Sequence, residues 1–264
     1  MSLKHNINLS KYFRNFAIII CILPVTFYLS AEQLNVQNIW LTKNKSDTTH
    51  LSLSRHTDVF LGGKEGYPIY RIPSVISTLD ETLLAFCEGR STLSDHAQND
   101  IVMKRSFNGG KTWEPLQIIA EDGKNCLSNP TVVQVRESGR ILLMYQKYPY
   151  GFHEREVVPG YKGDRICRSF LIYSDDDGST WTIPREITRQ VKRKKTATST
   201  ACGPGIGIQI KNGKYKKRII IPFNQGPYGD WQVYTVYSDD GGDKWKMGKI
   251  APRDLVCILL PYKN

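Results

Sequence analysis

Four side chains have the types and spacing for chemistry on an anion: Arg71 in Tyr70-Arg71-Ile72-Pro73, then Arg90 and Asp95, and further on Asn129 in Ser128-Asn129-Pro130-Thr131. Arginine is permanently charged and offers parallel N–H donors in a planar fork, which suits it to gripping a carboxylate in a way that lysine does not match. An aspartate nearby can deliver and remove a proton, provided that it is protonated part of the time although its free pKa is about 3.9. A bound carboxylate and the exclusion of water would raise that value, whereas Arg90 would lower it. Three of the four also have a plainer reading. Arg71 can be a surface or capping arginine, Asp95 a turn residue in Ser94-Asp95-His96, and Asn129 a turn asparagine.

The elements around these residues are short and extended. From Val59 onward, apolar runs such as Ser74-Val75-Ile76, Leu83-Leu84-Ala85-Phe86, Ile141-Leu142-Leu143-Met144, Phe170-Leu171-Ile172-Tyr173 and Val233-Tyr234-Thr235-Val236-Tyr237 alternate with turn signals. They are rich in β-branched and aromatic residues, and no long window carries a helical period, so the predicted class is all-β. Three octapeptides recur: Ser106-Phe107-Asn108-Gly109-Gly110-Lys111-Thr112-Trp113, Ser174-Asp175-Asp176-Asp177-Gly178-Ser179-Thr180-Trp181, and Ser238-Asp239-Asp240-Gly241-Gly242-Asp243-Lys244-Trp245, the last without the Thr. Each follows one strand and precedes another, which makes it a hairpin turn. Its Ser and Asx side chains can bond backbone amides, its Gly accepts positive φ, and its Trp can pack back over the hairpin. These turns are scaffold, with no chemistry assigned to them.

The octapeptides are Asp boxes. Together with Tyr70-Arg71-Ile72-Pro73, the Glu88-Gly89-Arg90 strand end and Asp95 ahead of the first box, they resemble the sialidase family over about Tyr70 to Trp245. The resemblance implies an all-β propeller of the six-bladed sialidase type, of which this chain supplies the first half to two-thirds. It implies exo-α-sialidase activity, the retaining hydrolysis of terminal sialic acids. Arg71 would be the first of the family's carboxylate-binding arginines, Arg90 a basic neighbour on the substrate side, Asp95 the general acid/base, and Asn129 a contact for the sugar's polar groups. Gly203-Pro204-Gly205 resembles a family strand opening whose glycines serve backbone geometry. The family's nucleophilic Tyr and assisting Glu are not matched: the residues after Trp245 contain no Glu, and Tyr262 fits no motif. The expectation is therefore a partial propeller, a fragment or the product of a premature stop or frameshift after about Ile250, weak or inactive alone. A non-catalytic sialoglycan-binding or protein-interaction propeller is the alternative.

Composition bounds the remaining possibilities. The chain has 264 residues and a formal charge of +11, or +8 without Lys4, Lys11 and Arg14. A basic balance suits anionic partners in general. The run Lys192-Arg193-Lys194-Lys195 lacks interleaved aromatics and reads as a solvated loop, with no nucleic-acid motif around it. The basic stretch ending at Arg14, the apolar run Phe16 to Leu29 and the small residues Ser30-Ala31 have signal-peptide architecture, with an uncleaved anchor as the alternative. Residues 1–31 are thus assigned as a signal peptide, 32–55 as a lead-in with a possible sequon at Asn44, and 56–264 as the partial propeller. A secreted or exported protein is expected, acting on sialylated glycoproteins, glycolipids or oligosaccharides, with no nucleic acid and no membrane after signal cleavage. Cys87, Cys126, Cys167, Cys202 and Cys257 form no CxxC pair and are expected to be free buried thiols. The sequence calls for no cofactor and carries no metal-ligand spacing.

Overall fold

The computed structural model of the protein describes residues 56–252; the signal-peptide and lead-in assignments, Asn44 and Cys257 lie outside the described residues. The apolar runs become the strands β1 (Ile69–Ser77), β2 (Leu83–Arg90), β3 (Asn99–Ser106), β4 (Gln117–Ala120), β5 (Cys126–Gln134), β6 (Ile141–Tyr148), β7 (Arg168–Ser174) and β8 (Arg185–Glu186). The one-turn helix α1 (Thr188–Val191) follows, then β9 (Thr200–Cys202), β10 (Gly205–Ile206), β11 (Ile208–Gln209), β12 (Ile219–Gln225), β13 (Gln232–Ser238) and β14 (Lys246–Met247). They form three antiparallel blades among the described residues: β1 to β4, β5 to β8, and β12 to β14 with β9 and β11 on the inner side of β12. The short β10 pairs in parallel with β5 and joins the second blade to the third.

Blades stack face to face, so a middle strand must be apolar on both faces, and the period of two decides which neighbour each residue meets. On β6, Ile141, Leu143 and Tyr145 enter a core with Leu84, Phe86, Ile101 and Met103 of the first blade. Leu142 and Met144, on the opposite face, enter a second core with Ile219, Phe223, Tyr234 and Val236 of the third. Cys87, Cys126, Cys167 and Cys202 are free and buried, as expected.

The Asp boxes close the hairpins β3–β4, β7–β8 and β13–β14 by one repeated scheme. The hydroxyl of Ser106, Ser174 or Ser238 accepts from the amide four residues on, at Gly110, Gly178 or Gly242, at 2.9 Å each. Oδ1 of Asn108, Asp176 or Asp240 accepts from the amide of Thr112, Thr180 or Lys244 at 3.0, 2.9 and 2.9 Å. The third box keeps its backbone bond without the Thr, because the amide and not the hydroxyl is the donor. The boxes also join blades. Asp177 accepts from Thr82, and Ser179 from Arg105 at 2.6 Å, both on the preceding blade, while Trp181 meets Phe86 edge-on at 5.7 Å. Arg185 of the second blade donates to the carbonyls of Gly242 and Asp243 at 3.0 and 2.8 Å. At Gly242, with φ 100°, a Cβ would sit 2.5 Å from Leu142 of the second blade, so only glycine lets the blades approach there.

The basic run departs from the solvated-loop expectation. Lys194 and Lys195 are exposed, but Lys192 is buried and donates to the Cys167 carbonyl at 3.1 Å. Arg193 stacks on Tyr234 at 4.4 Å and donates to Gln225 Oε1 and the Gly248 carbonyl at 2.9 and 2.6 Å. Both cations replace water with carbonyl oxygens and an aromatic face as the chain leaves α1 and enters the third blade.

Asp176 is held at a pKa of about 2, below its usual 3.8, chiefly by the Thr180 hydroxyl and amide donating to it. A folded-state pKa below the unfolded one contributes stability above about pH 4, which is lost as pH falls through about 2. Asp176→Asn should lower the thermal midpoint at neutral pH, and the gap from the wild type should narrow steadily between pH 4 and pH 2 in melts followed by circular dichroism.

Candidate active site

Two irregular inner strands and one strand end bring the candidate residues together. The β1–β2 register slips between Arg71 and Ser74, and the β5–β6 register slips between Ser128 and Thr131. In each bulge the residue before a proline takes positive φ: Ile72 at 57° and Asn129 at 55°. For β-branched Ile72 this conformation costs on the order of 1–3 kcal/mol, which the surrounding sheet must offset. Bulges of this kind re-aim side chains at strand ends. Gly203, again ahead of a proline on the third blade, has φ 69°, and a Cβ there would collide with Thr131 Oγ1. The geometric role expected for that glycine is what the structure uses.

Arg71 Nη1 and Arg90 Nη1 both donate to Asp95 Oδ1, at 2.8 and 2.7 Å. Arg90 also donates from Nε to Glu88 Oε2 at 2.6 Å, with Nη2 in close contact with the same oxygen. The other oxygen, Glu88 Oε1, accepts from the Asn129 amide at 2.7 Å. Glu88 therefore links all four residues, although the sequence reading did not nominate it. The signal was available: Glu88 and Arg90 are two apart on β2 and so share a face. Gly89 between them is required because a Cβ would lie 2.9 Å from the Tyr67 ring.

The group grades from buried to open. The side chains of Glu88 and Arg90 are 1% and 2% exposed, those of Arg71 and Asp95 45% and 65%. Burial pushes the Glu88 carboxyl up, against the opposing pull of the Arg90 charge and the Asn129 amide. Burial also acts to raise Asp95, but the hydrogen bond and charge of Arg90, with the charge of Arg71, outweigh it and hold the carboxyl below its usual value. The arginines thus win the contest left open by the sequence. The loop after β2 is pinned from behind, since the Asp95 carbonyl accepts from Cys126 Sγ at 3.1 Å.

Chemically, this is an exposed guanidinium able to exchange one carboxylate for another, an ionised carboxylate that such an exchange would release, and a buried ion pair that fixes both. A family profile described as a BNR repeat-like domain matches residues 81–261. A sialidase of Micromonospora viridifaciens is 31% identical over 207 residues, covering 73% of this chain and 31% of the relative. Human Sialidase-3 is 31% identical over 210 residues, covering 72% of this chain and 47% of the relative. Among solved structures, the Hadza microbial sialidase Hz136 superposes with a TM-score of 0.66 at 26% identity, over 72% of this chain and 39% of that one. The chain belongs to the sialidase family, and its fold is that of the sialidase β-propeller. It spans about a third to a half of the length of these relatives.

Glu88→Gln should cost on the order of 3 kcal/mol in urea unfolding, because it leaves Arg90 buried with only Asp95 as a charged partner. Glu137→Gln, at an exposed surface position, should change the urea midpoint far less.

Proposed function

We propose that the chain carries the carboxylate-gripping and proton-transferring side of an exo-α-sialidase site that hydrolyses terminal sialic acids from glycoconjugates with retention. The observation that carries this reading is the shared Asp95 Oδ1, to which Arg71 and Arg90 both donate. A sialic acid bears a carboxylate on its anomeric carbon. That carboxylate takes the exposed Arg71 fork, and Asp95 is left with Arg90 alone beside the glycosidic oxygen. With the Arg71 charge taken up by the substrate carboxylate and water excluded, the pKa of the Asp95 carboxyl is raised. Asp95 takes up a proton from solvent, passes it to the departing oxygen and later takes one from the attacking water, while Glu88 holds Arg90 and the Asn129 bulge in place. Sialidases use a Tyr nucleophile in place of the second carboxylate of most glycosidases, and that step is assigned to no residue here. Export by residues 1–31 belongs to the same proposal and is supported by their charge and apolar pattern.

Binding tests the grip without requiring turnover. Sialyllactose should bind the purified chain, as followed by saturation-transfer NMR, and Arg71→Ala should weaken binding about ten- to a hundred-fold through the loss of charge-assisted hydrogen bonds. Unchanged binding would remove Arg71 from the site. In a form with measurable turnover, Asp95→Ala should lower rates far more on natural sialosides than on fluorogenic ones with activated leaving groups; equal losses would show that Asp95 is not the acid. A sialoglycan-binding propeller that keeps Arg71 as its anchor is the second reading, favoured by the arginines' hold on Asp95 below its usual value, and binding without release of the fluorophore would support it.

A further inference from the structure

A second cluster lies one residue beyond Asp95. One donor atom from each of His96, His153 and Glu154 lies within 4.8 Å of the other two. His96 belongs to the loop between β2 and β3, and the other two to the long connection between β6 and β7. The rings of His96 and His153 are 4.4 Å apart, and Tyr148 meets the His96 ring edge-on at 4.9 Å.

The hydrogen bonds assign the lone pairs. His96 Nε2 accepts from the Glu154 amide at 3.4 Å and His153 Nδ1 from the Arg155 amide at 3.1 Å. A nitrogen that accepts is unprotonated, so both imidazoles direct a lone pair at the same two-residue segment, which also carries the Glu154 carboxylate, and a metal would take these lone pairs in place of the two amide hydrogen bonds. The contact to His96 is long, and its other nitrogen, Nδ1, is buried with no hydrogen-bond partner, so this ring is poorly satisfied by the protein alone. The nearest arginine of the segment is engaged elsewhere: Arg155 donates to Tyr228 Oη at 2.7 Å and lies over its ring at 4.2 Å.

We propose that His96, His153 and Glu154 form a binding site for a divalent transition metal of the zinc type, with water in the fourth position. Two imidazoles and a carboxylate are a donor set that zinc accepts in tetrahedral geometry. Bonds of about 2.0–2.1 Å place tetrahedral ligands about 3.3 Å apart, so the cluster must close by roughly 1.5 Å at most. His153 is exposed and on a loop, which lets it make that movement. The bound cation ties the loop that carries Asp95 to the β6–β7 connection. The wide sequence separation of positions 96 and 153 hides the site from spacing rules, and its existence does not depend on the reaction proposed above.

Isothermal titration of the metal-stripped chain with zinc chloride, and the visible spectrum of the chain titrated with cobalt(II), test this. The expected result is one zinc per chain with micromolar affinity and a tetrahedral cobalt spectrum without a thiolate charge-transfer band. His153→Ala and Glu154→Gln, at an exposed and a half-buried position, should each weaken binding by at least about ten-fold while leaving the thermal melt of the metal-free chain in place. Glu137→Gln should bind as the wild type does. Absence of binding, wild-type affinity in both ligand variants, or a thiolate band that places the metal at a cysteine would each overturn the proposal.

Discussion

The candidate site depends on one buried ion pair. Glu88 and Arg90 sit side by side at the end of β2, almost wholly removed from water. Burying two charges costs several kcal/mol per ion unless geometry and further hydrogen bonds offset it. Here they do: Glu88 takes three donors, two from Arg90 and one from the Asn129 amide, and Arg90 keeps one donor for Asp95. The pair is thereby a rigid base for two exposed groups that must remain able to exchange partners. Arg71 and Asp95 can stay open to solvent because their positions are set from below.

The same end of the sheet holds its strained backbone. Ile72, Asn129 and Gly203, one from each described blade, precede a proline and have positive φ. Proline removes an amide donor and constrains the residue before it, so an inner strand with this pair cannot run as a regular ladder. The resulting bulges bring the first two blades into register around Glu88. At Ile72 the cost is borne by a β-branched residue, which marks a conformation that the fold imposes on the chain.

The Asp boxes act at the opposite end of the same blades, in the hairpins β3–β4, β7–β8 and β13–β14. Their local hydrogen bonds make similar turns from different residues, Asn108 accepting from the same turn amide as Asp176 and Asp240 do. Their second role is between blades, where Arg105, Thr82 and Arg185 reach from one blade to the box of the next and Gly242 admits Leu142. The repeated spacing of the boxes thus registers successive blades as well as closing hairpins. The tryptophans follow this logic: Trp181 and Trp245 join the cores between blades, so they pack against more than their own hairpins.

Sequence alone determined whatever depends on local chemistry. Short β-branched runs, Gly and Asx at turn positions and the order of Arg71, Arg90 and Asp95 specify strands, hairpins and the family, because each rests on residues close together in the chain. Tertiary structure decided what depends on burial and on distant partners. It made Glu88 the link among the nominated residues, turned Lys192 inward onto the Cys167 carbonyl and Arg193 onto the third blade, and set His96 beside His153 and Glu154. It also decided that the arginines, and not burial, govern Asp95. Those outcomes are sums of desolvation and charge over groups from several strands, and no single stretch of sequence contains the terms of such a sum.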